Sequence, residues 1–200
     1  MSINVCIPGI SGKMGMEIAK LVLLEKSNMR LSSAIMRNHN EENNSLSNID
    51  KKIITSDINH ALSNCDVCVD FTRPENTMQI IEACVKHNKK LVIGTTGFSK
   101  KDEILIKKFS KKIPILKAGN MSLGVNLLMY LTEIASKSLG ANFLSKVYEV
   151  HHKHKIDYPS GTALMLGKGI ADGKNKNLFN LMGKKYLNKK SFPYEKKINF

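Results

Sequence analysis

The sequence predicts an α/β fold in which helices cover both faces of a parallel sheet. Apolar segments of strand length alternate with helical segments five or six times in the first 140 residues, which is the pattern of a parallel sheet with crossover helices. The segment CDVCVDFT, residues 65–72, is predominantly apolar, as expected for a strand that is buried on both faces. A glycine turn, residues 9–15, stands between the first strand and the first helix.

Apolar periodicity and helix-capping residues predict the individual strands and helices. We expect strands at residues 3–9, 29–37, 65–72, 90–97 and 113–120. We expect helices at residues 13–26, 57–64, 74–88, 99–112 and 122–140. Asp57 is a suitable N-cap and Pro74 suits a first helical turn. Ser99 with Asp102 matches a capping box. The first helix should bury one apolar face, formed by Met14, Ile18, Leu21 and Val22.

The character of the chain changes after residue 121. Beyond the long apolar helix, SKVYEVHH (145–152) alternates like a strand, SGTALMLGKGIA (160–171) predicts a helix, and residues 173–191 are rich in Lys, Asn and Gly. The last residues, KKINF, resemble the start of a further strand. We therefore predict one domain at residues 1–121 and a second at 122–200, whose sheet we expect to be incomplete at the C terminus.

Charge and cysteine content narrow the class of protein. The net charge is +14, but only three of the 31 basic residues are arginines and the chain contains no tryptophan, which disfavours sequence-specific nucleic-acid binding. We expect the surplus lysines to form a solvated surface, with attraction of small anions as the alternative. No apolar run is long enough to span a membrane, and the N-terminal segment lacks the regions of a signal peptide. We expect a cytoplasmic protein whose four cysteines are buried and reduced.

The glycine turn predicts a phosphate-binding site. Its sequence, Gly9-Ile10-Ser11-Gly12-Lys13-Met14-Gly15, has the spacing G-x-x-G-x-x-G rather than G-x-G-x-x-G. A helix that starts after such a turn offers backbone N–H groups to a phosphate, although a tight turn without a ligand is the alternative. The second strand ends in Met36 and Arg37. Arginine at this place can accommodate the 2′-phosphate of NADP, where NAD-binding folds usually have an acidic residue.

Residues 151–155, HHKHK, hold three of the six histidines. A metal site is one interpretation, but His151 and His152 would face opposite sides of a strand and few carboxylates lie nearby. A solvated basic loop leaves the adjoining Ser-Gly-Thr turn without a role. A site that handles protons and anions explains both features, because histidine can donate a proton near neutral pH and such a turn can present N–H groups to a carboxylate. We favour this third interpretation and predict no metal.

Five segments occur in one fixed order and together resemble the dihydrodipicolinate reductase family. They are the glycine turn, DVCVDFTRPENT, VIGTTGFS, AGNMSLGVNLL and HHKHKIDYPSGTA. The resemblance covers essentially the whole chain. It implies a Rossmann-like nucleotide-binding domain at 1–121 and an α+β substrate domain with a mixed sheet at 122–200. It also implies a homotetramer that uses NADPH or NADH to reduce a cyclic imine dicarboxylate, 4-hydroxy-tetrahydrodipicolinate, in lysine and diaminopimelate biosynthesis.

The same resemblance implies roles for individual residues. Those expected to contact the cofactor are Gly9, Ile10, Ser11, Gly12, Lys13, Met14, Arg37, Gly94, Thr95, Thr96, Ala118, Gly119, Asn120 and Met121. His151 would be the proton donor and Lys155 its catalytic partner. The residues expected to contact the substrate are His152, Gly161 and Thr162.

The sequence departs from the family pattern at a few positions. Met36 replaces an acidic residue found in many members, which favours NADPH over NADH. Gly119 and Tyr158 replace the residues usual before Asn120 and before Pro159. Members also normally continue past the strand that matches the final residues. We therefore expect the 200-residue form to be a poor enzyme. The alternatives are a partial NADPH-binding fragment, a different NAD(P)-dependent reductase of a small carboxylate, and an RNA-binding protein that has kept the fold.

Overall fold

The computed structural model describes residues 2–24, 28–37, 46, 48–150 and 159–182. The chain divides into two compact units, Met1–Ala118 and Gly119–Phe200. The domain boundary that the sequence predicts, after residue 121, falls close to this division and stays a prediction.

The first unit is built on a six-stranded sheet. Its strands are β1 (Ile3–Pro8), β2 (Met29–Ile35), β3 (Ile54–Thr55), β4 (Val67–Asp70), β5 (Lys90–Ile93) and β6 (Ile115–Lys117). All neighbouring strands are parallel, and their order is β3-β2-β1-β4-β5-β6. This is the strand order of the Rossmann fold, and it confirms the predicted α/β class. The two-residue strand β3 was missed, because so short a segment carries no readable alternation.

Four helices connect these strands. They are α1 (Lys13–Val22), α2 (Ile58–Ser63), α3 (Pro74–Lys86) and α4 (Lys100–Phe109). The predicted helix starts are confirmed: Asp57 accepts hydrogen bonds from the first turn of α2, and Pro74 opens α3. Ser99 and Asp102 form the predicted capping box of α4, and these hydrogen bonds from Ser99 lower the pKa of the Asp102 carboxyl group.

The buried face of α1 only partly matches the one that the apolar pattern predicts: Val22 is buried and Ile18 packs against the core, but the other two predicted residues are exposed. Met14 is 48% exposed and Leu21 is 61% exposed, whereas Gly15, Ala19 and Val22 are buried. The reason is a close approach of backbone to backbone, since a Cβ atom at Gly15 would lie 2.4 Å from the carbonyl oxygen of Gly9. Only glycine fits this approach, and the helix packs against the core through Ala19 and Val22, with Ile18 partly buried beside them.

The core lies on both faces of the sheet. Val5 and Ile7 belong to the cluster that packs with α1, and the intervening Cys6 belongs to the cluster that packs with α3, as strand alternation requires. All four cysteines are free and buried, as the sequence predicts. Burial, followed by a hydrogen bond with Cys6, raises the pKa of the Cys68 thiol, so this thiol stays protonated and unreactive at neutral pH.

The second unit contains α5 (Leu123–Leu139), α6 (Gly161–Gly173) and α7 (Leu178–Leu181). Helices α5 and α6 pack closely, because a Cβ atom at Gly173 would lie 2.4 Å from the Glu133 carbonyl oxygen. The hydroxyl of Ser136 also donates to the Ile170 carbonyl at 2.8 Å. None of the helices in the described part of the chain is both long and apolar enough to cross a membrane.

The strand predicted at residues 145–152 is not found in its described part. Residues 145–150 contain an isolated bridge at Lys146 and no continuous strand. A strand is held by hydrogen bonds to a neighbour, and the described residues of this unit supply only that one bridge. The rest of the predicted strand and the final segment, KKINF, fall in 151–158 and 183–200, outside the described residues.

Candidate functional site

A cavity of about 630 Å³ lies at the carboxyl ends of β1, β2 and β4. The strand order reverses between β1 and β4 at this place, and ligands of open α/β sheets bind in the crevice at such a switch point. Its walls come from the glycine turn, the end of β2, the segment 71–73 and the first turns of α3. The fold thus opens a cavity of ligand size at the point where the sequence predicts phosphate binding.

The glycine turn is shaped by contacts that larger residues would break. Gly9 has a φ of +68°, and a Cβ atom there would lie 2.8 Å from Cγ2 of Thr72. The N–H of Gly12 donates to the Gly9 carbonyl at 2.9 Å, and Gly12 is the N-cap of α1. The first N–H groups of a helix have no partner within the helix. The turn therefore presents donors and a positive dipole end to the cavity.

Three cations and no carboxylate line the described walls of the cavity. The cations are Lys13, Arg37 and Arg73. Arg37 lies two residues beyond Ile35, the last residue of β2, and its Nη2 donates to Oδ1 of Asn76 at 2.5 Å. Sequence reasoning found Lys13 and Arg37 but missed Arg73 and Asn76. The signal for both was present in the segment DVCVDFTRPENT, since residues after a parallel strand lie at the ligand-binding edge.

A buried polar network holds the ends of β4 and β5 together behind this edge. Asp70 is 0% exposed, and it accepts from the Thr77 hydroxyl at 2.5 Å and from the Thr72 N–H at 2.9 Å. The hydroxyls of Thr77 and Thr95 lie 3.0 Å apart. Because Thr77 gives its single proton to Asp70, Thr95 must donate to Thr77. The N–H of Gly94 donates to the Asp70 carbonyl at 2.8 Å.

The expected cofactor residues of the first unit fall into two groups, with Ile10 apart from both. Those that line the cavity are Gly9, Ser11, Gly12, Lys13, Met14 and Arg37. Gly94, Thr95 and Thr96 follow β5, and Ala118 follows β6, so they lie along the same edge of the sheet but outside this cavity. The side chain of Ile10 is 0% exposed and belongs to the core, and the buried Thr95 hydroxyl is already bonded. Both residues have only backbone groups to offer a ligand.

In the second unit, Asn120 makes a local hydrogen bond, accepting from the Ser122 N–H at 2.9 Å. Gly161 opens α6, whose N-cap Ser160 accepts from the Ala163 N–H at 3.0 Å. Gly161 and Thr162 thus stand at a helix N-terminus, where N–H groups can receive an anion.

The remaining predicted residues of this unit either adjoin Asn120 in the sequence or lie outside the described residues. Gly119 and Met121 flank Asn120 in the sequence. His151, His152 and Lys155 lie outside the described residues, as does Tyr158.

Comparison with known proteins gives the same family for both halves of the chain. Residues 3–121 match the family model described as dihydrodipicolinate reductase, N-terminus, and residues 124–199 match the corresponding C-terminus. A 4-hydroxy-tetrahydrodipicolinate reductase from Pelagibacter ubique is 61% identical over 202 residues, which covers 99% of this chain and 74% of the relative. One from Nitrosomonas europaea is 39% identical over 181 residues, covering 88% of this chain and 67% of the relative.

A solved structure of the same family resembles this chain. A dipicolinate-bound dihydrodipicolinate reductase from Paenisporosarcina sp. TG-14 superposes with a TM-score of 0.70 at 25% identity, covering 100% of this chain and 78% of that one. A homoserine dehydrogenase from S. aureus, at 15% identity and a TM-score of 0.50, covers 69% of this chain and 40% of that one. The second likeness shows the fold alone.

Proposed function

This chain belongs to the dihydrodipicolinate reductase family, and we propose how its own residues serve the reaction of that family. The reaction is the NAD(P)H-dependent reduction of 4-hydroxy-tetrahydrodipicolinate to tetrahydrodipicolinate, a step of lysine and diaminopimelate biosynthesis. The protein is thus an oxidoreductase with a nicotinamide cofactor. One observation supports the assignment of roles to residues. The glycine turn and Arg37 line the same cavity, at the switch point of the sheet.

The residues of the cavity fit a dinucleotide. A side chain at Gly9 would press against Thr72 and one at Gly15 against the Gly9 carbonyl, so these glycines are what allows the turn its tight shape in the cavity wall. The N–H groups at the start of α1 can bind the oxygens of a pyrophosphate. The cofactor supplies the hydride when bound. The task of the protein in this half of the reaction is to hold the cofactor by its phosphates and keep it in one orientation.

Within that function, NADPH is the preferred cofactor. The described lining of the cavity contains Lys13, Arg37 and Arg73 and no acidic side chain. A carboxylate at the end of β2 would bind the ribose 2′-hydroxyl of NADH, whereas arginine pairs with the 2′-phosphate of NADPH. The buried apolar side chain of Met36, 7% exposed, offers no such acceptor.

Replacing Arg37 tests this preference. Arg37→Ala removes charge-assisted hydrogen bonds worth about 1.5–3 kcal/mol, so kcat/KM for NADPH should fall roughly 10–150-fold while kcat/KM for NADH changes little. Arg30→Ala is the matched control, because Arg30 is an exposed arginine near the opposite end of β2 and does not line the cavity. An unchanged ratio of kcat/KM between the two cofactors in Arg37→Ala would remove Arg37 from the preference.

We further propose that His151 donates the proton that completes the reduction, with Lys155 as its partner. The support is the family match together with the chemistry of histidine, whose reference pKa is about 6.5. His152, Gly161 and Thr162 would bind the carboxylates of the substrate. Gly161 and Thr162 stand in the first turn of α6, which suits an anion.

Two variants test these roles. His151→Gln and Lys155→Ala should each lower kcat by about 10²–10⁴-fold and leave NADPH affinity, measured by fluorescence titration, unchanged. His60→Gln is the matched control, because His60 lies on α2 and does not line the cavity. A wild-type kcat in His151→Gln would mean that another group supplies the proton.

We propose that the protein is a cytoplasmic homotetramer that binds a small dicarboxylate substrate and no nucleic acid, with the dinucleotide domain at 1–121 and the substrate domain at 122–200. Four buried free thiols support a reducing compartment. Large exposed apolar side chains on α5, among them Leu123 at 85% and Tyr130 at 61%, support assembly, because monomers rarely expose such patches. Light scattering should give four times the mass of the chain, and a monomer would refute the tetramer.

A further inference from the structure

We propose that Asn76 is a positioning residue that holds Arg37 in the wall of the cofactor cavity and so helps to set the preference for NADPH. The inference rests on the proposed function, since it concerns the group that Arg37 would bind. It goes beyond that function because Asn76 belongs to α3, which is far in the sequence from the glycine turn and from the end of β2. Sequence patterns give no reason to connect the two residues.

The observation is a single hydrogen bond between distant parts of the chain. Nη2 of Arg37 donates to Oδ1 of Asn76 at 2.5 Å, across 39 positions of sequence. Both side chains line the same cavity. Arg37 is exposed, and an exposed arginine side chain loses much rotamer freedom when it is fixed on a ligand. A hydrogen bond that fixes it beforehand reduces this loss, which favours ligand binding.

The chemical nature of the acceptor matters as much as its position. A carboxylate at position 76 would also orient Arg37, but it would cancel the positive charge that a 2′-phosphate needs. The amide oxygen of Asn76 accepts one guanidinium N–H and leaves the charge intact. A guanidinium has five N–H donors, so the others remain for a phosphate. The amide nitrogen of Asn76 adds two further donors on the same wall.

A purely structural role for Asn76 is the competing explanation. Asn76 lies in the first turn of α3, but the N-cap of that helix is Arg73, and no side-chain hydrogen bond caps it. Within the described residues, the bond to Arg37 is the one hydrogen bond that the Asn76 side chain makes. A bond between exposed groups contributes little to stability. Its effect should therefore be visible in cofactor choice and not in the melting temperature.

The test measures binding of NADP⁺ and NAD⁺ by calorimetry, and KM and kcat with NADPH and NADH, in the full chain. Asn76→Asp should weaken NADP⁺ binding and raise the KM for NADPH about tenfold or more, with NAD⁺ affinity unchanged or improved and kcat at saturating NADPH unchanged. Asn76→Ala should weaken NADP⁺ binding less. Asn28→Asp is the matched control, because it makes the same change at the exposed residue preceding the other end of β2.

A double substitution shows whether Asn76 acts through Arg37. In an Arg37→Ala background, Asn76→Ala should have no further effect on the ratio of NADP⁺ to NAD⁺ affinities. Equal affinities of the wild type for the two cofactors would overturn both the proposed preference and this inference. A wild-type preference that Asn76→Asp and Asn76→Ala leave unchanged would overturn the inference alone. Equal losses of affinity for both cofactors, with a lowered melting temperature, would assign Asn76 a structural role and also overturn it.

Discussion

Thr77 is the residue whose replacement best tests the buried network behind the cofactor cavity. Its hydroxyl donates to Asp70 at 2.5 Å and lies 3.0 Å from the hydroxyl of Thr95. Thr77 and Asp70 are both 0% exposed. Thr77→Val keeps the shape of the side chain and removes the hydroxyl. It therefore leaves Asp70 with one donor fewer and Thr95 without its acceptor, in a place that water does not reach.

The expected loss of stability in Thr77→Val follows from the two hydrogen bonds of the Thr77 hydroxyl, to Asp70 and Thr95. A hydrogen bond to a charged group contributes about 1.5–3 kcal/mol and one between neutral groups about 1 kcal/mol. The new methyl group recovers a part of this loss by apolar burial. We expect Thr77→Val to lower the free energy of unfolding by roughly 2–4 kcal/mol, and the melting temperature by roughly 5–15 °C in a protein of this length.

The matched control is Thr72→Val, five positions earlier. Oγ1 of Thr72 is buried and has no hydrogen-bond partner among the described residues. Its removal therefore takes away an unpaired buried polar group, which should stabilise the folded state rather than destabilise it. Urea denaturation followed by circular dichroism should show Thr72→Val unchanged or more stable by about 1 kcal/mol. If both variants lose the same stability, or if Thr77→Val loses less than about 1 kcal/mol, the network does not hold the ends of β4 and β5 together.

Two further predictions follow from local geometry. Gly15→Ala should lower the free energy of unfolding by roughly 1–3 kcal/mol, because its Cβ atom would lie 2.4 Å from the Gly9 carbonyl oxygen. Gly124→Ala is the control and should not destabilise the protein, because the nearest atom to its Cβ would be 3.9 Å away. Equal urea midpoints for the two variants would contradict this prediction. Burial raises the pKa of Cys68 in the folded state, so its contribution to stability is fully present below the unfolded pKa of about 8.5 and is lost as pH rises from there towards the folded pKa. Urea unfolding between about pH 7 and pH 10 should show a decline above about pH 8.5 that is shallower in Cys68→Ala, and identical slopes would contradict it.

The elements that sequence predicts well are those set by nearby residues. The capping box of Ser99 and Asp102, the N-cap Asp57 and the proline at the start of α3 each act within one helical turn. Such signals are complete in a short window of sequence. The ends of strands are less well predicted, because a strand ends where its neighbour stops pairing. The strand predicted at 65–72 is confined to Val67–Asp70, the four residues that pair with β5.

The face of α1 shows where an apolar pattern misleads. The apolar pattern correctly selects Ile18 and Val22, but it also selects Met14 and Leu21, which are exposed, and passes over Gly15 and Ala19, which are buried. Met14 and Leu21 would bury more apolar surface against the sheet than Gly15 and Ala19 do. The close approach of α1 to the glycine turn removes the space for them, and that distance depends on the tertiary structure. Met14 instead lines the cofactor cavity, a position that apolar periodicity cannot distinguish from the core.

The place of the cavity at the switch point was predictable from the sequence, but its full set of lining residues was not. The glycine turn and Arg37 each follow a strand that can be recognised in the sequence. Local sequence patterns were therefore enough to predict phosphate binding at the turn and to name Arg37 as a candidate ligand of the 2′-phosphate. Asn76 enters the site for another reason. The sheet order places β4 beside β1 and on the opposite side from β2, so the start of α3 meets the end of β2 across the switch point. The bond between Arg37 and Asn76 is thus created by strand order, and under the proposed function the choice of cofactor would depend on this topology as well as on Arg37.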